Sequence, residues 1–157
     1  MIVKILAKKA FNLDLTTKKV EYRAYKLKKR IKMKNILEVC LSPDYGGLEL
    51  HMKDLTKFLK AKAVINKNGK LKEKFDNEKI PYFEMGRYNF IKLAKMIDDN
   101  DIDIVHLQWT KDIPTTVLAK LISKRKPKII QTRNMHMTRF KDDFYHKFLY
   151  KNIDRII

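Results

Sequence analysis

The sequence is poor in cysteine, proline and glycine: its 157 residues include one, four and four of them, respectively. The single cysteine, Cys40, excludes an internal disulfide framework and any metal site built from several thiolates. No apolar run approaches the roughly 18 to 20 residues that span a bilayer, and the N-terminus has no signal-peptide pattern. We therefore expect a cytoplasmic protein in which Cys40, inside an apolar run, is a buried small hydrophobe.

Several motifs that bind phosphate or metal are also missing. The chain contains neither a GxGxxG spacing nor a GK[ST] sequence, so neither dinucleotide nor P-loop binding is supported. No pair of histidines or carboxylates has the spacing of a metal site on one helix face, and we predict no metal in this chain. His51 and His146 fall in helical patterns and are expected on helix surfaces.

Positive charge is abundant and unevenly distributed. The net charge is +18, and residues 1–32, with eleven Lys or Arg and two acidic residues, contribute half of it. There Val20, Ala24, Leu27 and Ile31 form one apolar stripe among basic residues, which predicts a basic amphipathic helix. Such a helix can lie on an anionic membrane surface. The other interpretations are a solvated helix that packs on the domain and a disordered tail.

From residue 34 onward, short apolar runs alternate with helical apolar stripes. We therefore divide the chain into a basic extension, residues 1–32, and a domain, residues 33–157. Strands are predicted at 35–41, 61–66, 81–85, 103–109, 128–132 and 154–157, with helices between them. This alternation is typical of a Rossmann-like α/β fold, a parallel sheet with helices on both faces. Ligands bind such sheets at the carboxyl ends of the strands, so the loops there are the candidate site.

Three of these strand ends carry residues suited to an anionic ligand. Gly46 and Gly47 lead into a helix, where glycine permits a positive φ or the close approach of a ligand, and the helix N-terminus attracts an anion. His106, near the end of the fourth strand, is either a ligand contact or a hydrogen-bonded core residue. Arg133 and His136 follow the fifth strand and would face an anionic substrate; His136 titrates near neutral pH, and a plain surface position is its alternative.

Three segments, in this order, resemble glycosyltransferase family 4, a large group of retaining enzymes with the GT-B fold. NILEVCLSPDYGGLELHMKDLTKFLK is similar to the family's first strand, Gly-Gly-x-Glu turn and helix. DIDIVHLQW is similar to its Asp-hydrophobic-Val-His-x-His/Gln strand. KIIQTRNMHMTRFKDDFYHKFLYKNIDRII resembles the stretch before the sixth strand in the branch that builds bacterial surface polysaccharides. The resemblance covers residues 34–157.

The resemblance implies an enzyme that transfers a sugar from a nucleotide-sugar donor to a glycan or lipid-linked acceptor. In this family the N-terminal domain holds mainly the acceptor, and the Gly-Gly loop approaches the donor phosphates. Many members have a sugar-contacting histidine after the fifth strand; here Asn134 stands at that position and His136 follows two residues later. The resemblance thus implies His136 as the catalytic residue. It implies donor or acceptor contacts from Gly46, Gly47, Glu49, His106, Arg133 and Asn134.

The family's nucleotide-binding half follows the sixth strand, within which this sequence ends. We therefore expect no cofactor in this chain, a C-terminal nucleotide-binding domain as its missing partner, and inactivity alone, since donor positioning comes from that half. The alternative function is a non-catalytic binding module for an anionic glycan or a membrane surface. With either function, the expected location is the cytoplasm, with a peripheral position at the inner face of the membrane as a further expectation. Nucleic acid is not expected as a partner, because after residue 33 basic and acidic residues are mixed and no recognised motif occurs.

Overall fold

The computed structural model describes residues 34–133 and 143–157 of the protein, which belong to one compact unit, Lys34–Ile157. Its strands are β1 (Ile36–Cys40), β2 (Lys62–Asn66), β3 (Phe83–Met85), β4 (Ile104–Leu107), β5 (Lys128–Gln131) and β6 (Arg155–Ile156). Its helices are α1 (Gly47–Leu59), α2 (Leu71–Asn77), α3 (Phe90–Asp99), α4 (Ile113–Ile122) and α5 (Phe144–Lys151), with a 3-10 turn at Thr110–Asp112. The basic extension predicted for residues 1–32 lies outside the described residues.

All six strands pair in parallel, in the order β3-β2-β1-β4-β5-β6. Val39 at the centre of the sheet pairs with Val64 of β2 on one side and Leu107 of β4 on the other. The chain builds outward from β1 to β3 and then crosses back through α3 to the far side of β1. This order has its switch point between β1 and β4, where sheets of this kind form their ligand crevice. The predicted α/β Rossmann-like fold is confirmed.

Alternation along the strands separates two apolar cores, one on each face of the sheet. Val39 belongs to the core covered by α3, α4 and α5, together with Val117 of α4. Cys40 belongs to the second core, with Met52 of α1 and Phe75 of α2. Both faces are covered, which explains why the strands read as almost continuous apolar runs. Cys40 is fully buried, as the sequence predicts.

Side-chain caps fix the start of two helices that border the candidate site. The Asn89 side chain accepts a hydrogen bond from the Lys92 N–H at 3.0 Å, at the start of α3. The Asp143 carboxylate accepts one from the His146 N–H at 3.1 Å, at the start of α5. Pro114 lies in the first turn of α4, where a missing N–H breaks no helical hydrogen bond. Each helix therefore begins at a defined distance from the carboxyl edge of the sheet.

Candidate functional site

The turn between β1 and α1 is shaped by a side chain of the helix itself. Gly46 is the N-cap of α1, and its N–H donates to Glu49 Oε2 at 2.9 Å. A carboxylate at this position also compensates the positive end of the helix. Glu49 is 6% exposed, so most of its surface is already in contact with protein. Its visible role is to hold the turn, and a ligand contact by Glu49 stays a prediction.

Neither glycine of the turn is required by the turn's own geometry. Gly46 is extended, with φ −157°, and none of the glycines among the described residues has a positive φ. A Cβ on Gly46 would lie 3.5 Å from Glu49 Oε2, an ordinary contact, and a Cβ on Gly47 would meet no described atom within 4 Å. The positive-φ explanation of the pair is therefore wrong. Glycine is a favoured N-cap residue, and close approach by a ligand stays a prediction.

The first turn of α1 leaves backbone donors open beside the two glycines. The first intrahelical hydrogen bond runs from the Leu50 N–H to Gly46 O at 3.0 Å. Within the part of the chain that the structure describes, no acceptor meets the N–H groups of Gly47, Leu48 or Glu49. Open donors at the positive end of a helix are suited to an oxyanion such as a phosphate.

The strand end that leads to this turn is fixed from both neighbouring strands. Asn66, at the end of β2, donates from Nδ2 to Leu41 O at 2.9 Å. Asp112, after β4, accepts at Oδ2 from the Leu41 N–H at 2.8 Å. Both backbone groups of Leu41 are thus engaged by side chains, one from the end of β2 and one from the 3-10 turn after β4.

Gly69 is the glycine that packing does require. A Cβ at this position would lie 2.9 Å from Ser42 O, which is closer than a carbon and a backbone oxygen approach. The next residue, Lys70, donates its N–H to Pro43 O at 3.2 Å. The start of α2 therefore rests directly on the backbone of the β1–α1 loop.

Asp112 is a buried carboxyl group at the switch point. It has no solvent exposure, and within the described residues its Oδ1 has no hydrogen-bond partner. Burial raises the pKa of Asp112 to about 7, against the opposing effects of the Leu41 N–H and the positive charge of Arg87. A group with this pKa is partly protonated at neutral pH.

His106 is buried, and both of its ring nitrogens are engaged. Nδ1 lies 2.9 Å from each carboxylate oxygen of Glu38, and Nε2 lies 2.8 Å from Thr132 Oγ1. When Glu38 is ionised it only accepts hydrogen bonds, so Nδ1 then carries a proton. These contacts are those of a hydrogen-bonded core histidine that ties β1, β4 and the end of β5 together. A direct ligand contact by His106 stays a prediction.

The strand order brings several of the predicted site residues to one edge. Gly46 and Gly47 follow β1, His106 lies in the adjacent β4, and Arg133 follows the next strand, β5. Arg133 is half-buried, and its N–H donates to Ile157 O at 2.7 Å. Its side-chain role stays a prediction. The last two predicted site residues, Asn134 and the catalytic candidate His136, lie outside the described residues, so their placement and roles also stay predictions.

Two further contacts at this edge are absent from the sequence predictions. Glu38, the partner of His106, is the one acidic residue in the apolar run 35–41, a signal that would have identified it. His51 is exposed on α1 as predicted, but its Nδ1 lies 2.9 Å from Gln108 Oε1 at the end of β4. No group of three or more His, Cys, Asp or Glu suited to a metal ion occurs within residues 34–133 and 143–157. The absence of a metal from the chain stays a prediction.

A cavity of about 420 Å³ opens at the same edge, between the loops after β3 and β4 and the start of α5. Arg87 and Lys111 line it, together with Tyr88, Tyr145 and Tyr150. Thr115 Oγ1 donates to Arg87 O at 2.7 Å and thereby fixes the β3 loop against α4. We call this space the carboxyl-edge cavity.

A doubly wound parallel sheet with an open helix N-terminus at its switch point defines a Rossmann-like α/β domain. The chain belongs to the glycosyl transferase 4-like family, whose model matches residues 38–157. The resemblance to glycosyltransferase family 4 is thereby confirmed.

Solved structures of similar fold support this assignment of the architecture. The chain is similar to the Anabaena protein Alr3699/HepE in complex with UDP and glucose, with TM-score 0.54 and 18% identity, over 63% of this chain and 29% of that one. It is also similar to a glycosyltransferase from Rickettsia africae, with TM-score 0.56 and 24% identity, over 74% of this chain and 33% of that one. The chain thus matches about a third of the length of these neighbours. A search of curated proteins finds no match.

Proposed function

We propose that the chain is the acceptor-side, N-terminal domain of a retaining glycosyltransferase that uses a nucleotide-sugar donor in lipopolysaccharide, capsule or other glycan synthesis. Membership of the glycosyl transferase 4-like family supports sugar transfer. The Anabaena neighbour, described in complex with UDP and glucose, supports a nucleotide-sugar donor. The observation that carries the proposal is the start of α1, where open N–H donors stand beside two glycines that the turn itself does not require.

In this proposal the backbone of Gly46 and Gly47 approaches the donor phosphates and the reacting sugar. A side chain at Gly47 would occupy the space in front of the helix N-terminus and keep the phosphate oxygens away from the donors. Arg133 and Asn134 contact donor or acceptor, and His136 contacts the transferred sugar. Glu49 serves by holding the turn, and His106 by tying the strands beneath it.

The proposal includes a partner domain that binds the nucleotide. The first-named neighbours are about three times as long as the matched region, and transfer requires a donor held in line with the acceptor. A leaving nucleoside diphosphate also needs charge stabilisation, and in this family that comes mainly from the nucleotide-binding half. We therefore propose that this chain is inactive without a C-terminal nucleotide-binding domain.

We further propose that the enzyme works in the cytoplasm and touches the inner face of the membrane when its acceptor is lipid-linked. Of the helices within the described residues, none is long and apolar enough to cross a bilayer. The basic segment at residues 1–32 would supply electrostatic attraction to anionic lipids. Glycan or lipid-linked acceptors are the proposed partners, and nucleic acid is not.

The test is sugar transfer by the complete gene product that contains this chain, using labelled nucleotide-sugars and membrane-derived glycan acceptors. We expect Gly47→Val to reduce transfer by about a hundred-fold or more, because it blocks preorganised backbone donors. Leu50→Val is the matched control, because it places the same side chain on an exposed face of the same helix. Circular dichroism would show that both variants fold.

Equal transfer by Gly47→Val and the wild type would contradict a role for this turn in donor binding. Absence of transfer from every nucleotide-sugar, with glycan binding retained, would contradict the enzyme and favour the binding module. The chain alone, residues 1–157, is expected to show no transfer; turnover by it would contradict the need for a second domain.

A further inference from the structure

The carboxyl-edge cavity contains two cations without an acidic partner. Within the described residues, neither Arg87 nor Lys111 lies within 4.0 Å of a carboxylate oxygen, and Arg87 Nε has no hydrogen-bond partner. Five other cations of the domain are paired: Lys53 and Lys57 with Glu78, Lys72 with Glu84, Lys120 with Asp154, and Arg125 with Asp101 and Asp103. Exposed lysines such as Lys95 also lack an ion pair among the residues that the structure describes, so the two cavity cations are distinguished by their position beside aromatic rings in a cavity.

Aromatic rings hold these two cations in place. The guanidinium carbon of Arg87 lies 5.0 Å from the centre of the Tyr88 ring and 4.8 Å from that of Trp109. Lys111 Nζ lies 5.3 Å from the Trp109 ring. Contact through the face of a guanidinium leaves its edge available for hydrogen bonds to a planar anion. The aromatic contacts therefore position the charges without neutralising them.

The remaining walls of the cavity are mainly apolar or aromatic, with Thr110 and His146 as further polar side chains. Ile113 and Pro114 of α4, with Tyr145 and Tyr150 of α5, line it, and no Asp or Glu does so among the described residues. Asp143 lies nearby, but its carboxylate accepts from the His146 N–H and lies 2.5 Å from His146 Nδ1. Rings and flat apolar surface of this kind pack against the hydrophobic faces of a sugar.

A second carboxyl group, Asp112, is close enough to Arg87 for their charges to interact, but it does not line the cavity. Asp112 follows Lys111 in the chain but is fully buried and bonded to the Leu41 N–H. It faces β1 and is not among the residues that line the cavity. The cavity is therefore electropositive where it is polar, and its volume of about 420 Å³ lies within the range of about 300–1,000 Å³ that is usual for small-molecule sites.

We propose that the carboxyl-edge cavity binds an acceptor sugar that carries an anionic group, a carboxylate or a phosphate, with Arg87 and Lys111 as the anion contacts. This inference rests on the proposed function, because it names the acceptor class of that same site. The sugar ring packs against the tyrosines while its acidic substituent meets the two cations. Neutral sugars lack the second interaction and bind more weakly.

The test is a titration of the ¹⁵N-labelled chain, residues 1–157, followed by amide chemical shifts at constant ionic strength. The probes are methyl glucuronide, glucose 6-phosphate and methyl glucoside. We expect at least one of the two anionic sugars to shift the amides of Tyr88 and Lys111 and to bind about ten-fold or more tightly than the glucoside. Which of the two binds more tightly identifies carboxylate or phosphate as the preferred group.

Arg87→Gln and Lys111→Gln are each expected to weaken binding of the anionic sugar about ten-fold. Lys95→Gln is the matched control, because Lys95 is exposed on α3 and does not line the cavity. Equal binding of anionic and neutral sugars, shifts confined to other surfaces, or equal weakening by Lys95→Gln would overturn the inference. An unchanged amide spectrum of each variant shows that it still folds.

The two proposals fail in different ways. If the glucoside binds the cavity as tightly as the glucuronide and the complete gene product transfers sugar, the acidic acceptor is wrong and the transferase stands. If the acidic sugar binds through Arg87 and no nucleotide-sugar supports transfer, the cavity assignment stands and the transferase is wrong.

Discussion

His106 Nδ1 lies 2.9 Å from both carboxylate oxygens of Glu38, its direct neighbour in the register of β4 and β1. Both side chains are buried, so neither can exchange its partner for water without opening the sheet. A polar pair at the centre of a parallel sheet therefore joins its two halves at the switch point.

Removal of either His106 or Glu38 alone should lower the stability of the fold. We expect His106→Ala to lower the free energy of unfolding by about 3 kcal/mol, because it leaves the carboxylate of Glu38 buried without a partner. Urea denaturation measures the change. The double variant Glu38→Gln/His106→Ala should recover about 1 kcal/mol of the loss, since no charge remains buried. Equal stability of the single and double variants would show that burial of the Glu38 charge does not set the cost.

Gly47, in the β1–α1 turn, and Gly69, which packs against that loop, should respond differently to alanine. Gly69→Ala is expected to lower the free energy of unfolding by about 1–3 kcal/mol, because its Cβ would press on Ser42 O. Gly47→Ala should leave stability unchanged or raise it by up to about 1 kcal/mol, because its Cβ meets open space within a helix. Thermal unfolding of both variants tests this contrast. A Gly69→Ala protein as stable as the wild type would contradict it.

Asp112 should make stability fall as pH rises. Its pKa is raised to about 7 in the fold, above the ordinary value of 3.8, so the folded state binds its proton more tightly than the unfolded chain does. Its contribution is fully present below the unfolded pKa and is lost as pH rises toward about 7. Asp112→Asn keeps an oxygen for the Leu41 N–H but does not titrate. Its stability relative to the wild type should therefore increase between pH 4 and pH 8, measured by urea midpoints; a constant difference would contradict the buried titration.

Cys40 should be unreactive in the native protein. Burial raises the pKa of its thiol to about 12, so little thiolate is present, and the side chain has no solvent exposure. A thiol-exchange reagent at pH 8 should react with the folded chain only through unfolding and with the urea-unfolded chain at once. Because the sequence has no other cysteine, the signal reports this position alone. Rapid labelling without denaturant would contradict the burial of β1.

The sequence predicted the sheet because each strand is an apolar run bounded by polar residues. Every predicted strand is present and is somewhat shorter than its apolar run; the first, predicted at 35–41, is Ile36–Cys40. Apolar residues at the ends of a run, such as Leu41, are as buried as strand residues. They nevertheless lie outside the paired part of the strand. An apolar run in the sequence indicates which residues are buried. It does not indicate which of them form hydrogen bonds to a neighbouring strand.

The sequence predicted site residues only where a residue type is unusual for the helix or strand position that it occupies. A glycine pair at a helix start and a histidine in a strand are conspicuous, and both lie at the carboxyl edge or beneath it. Asp112 and Arg87 are ordinary polar residues in loops, and their proximity arises from the crossover between β3 and β4. Contacts between residues that are far apart in the sequence leave no pattern along the chain.

Because Gly69 packs against Ser42, the conformation of the β1–α1 loop depends on residues outside the loop. Residues 42–49 owe their path to a glycine more than twenty positions later and to side chains on both neighbouring strands. A graft of this loop into another sheet would have to carry the start of α2 with it. Variation at Gly69 would therefore change the path of the β1–α1 loop without altering any residue of that loop.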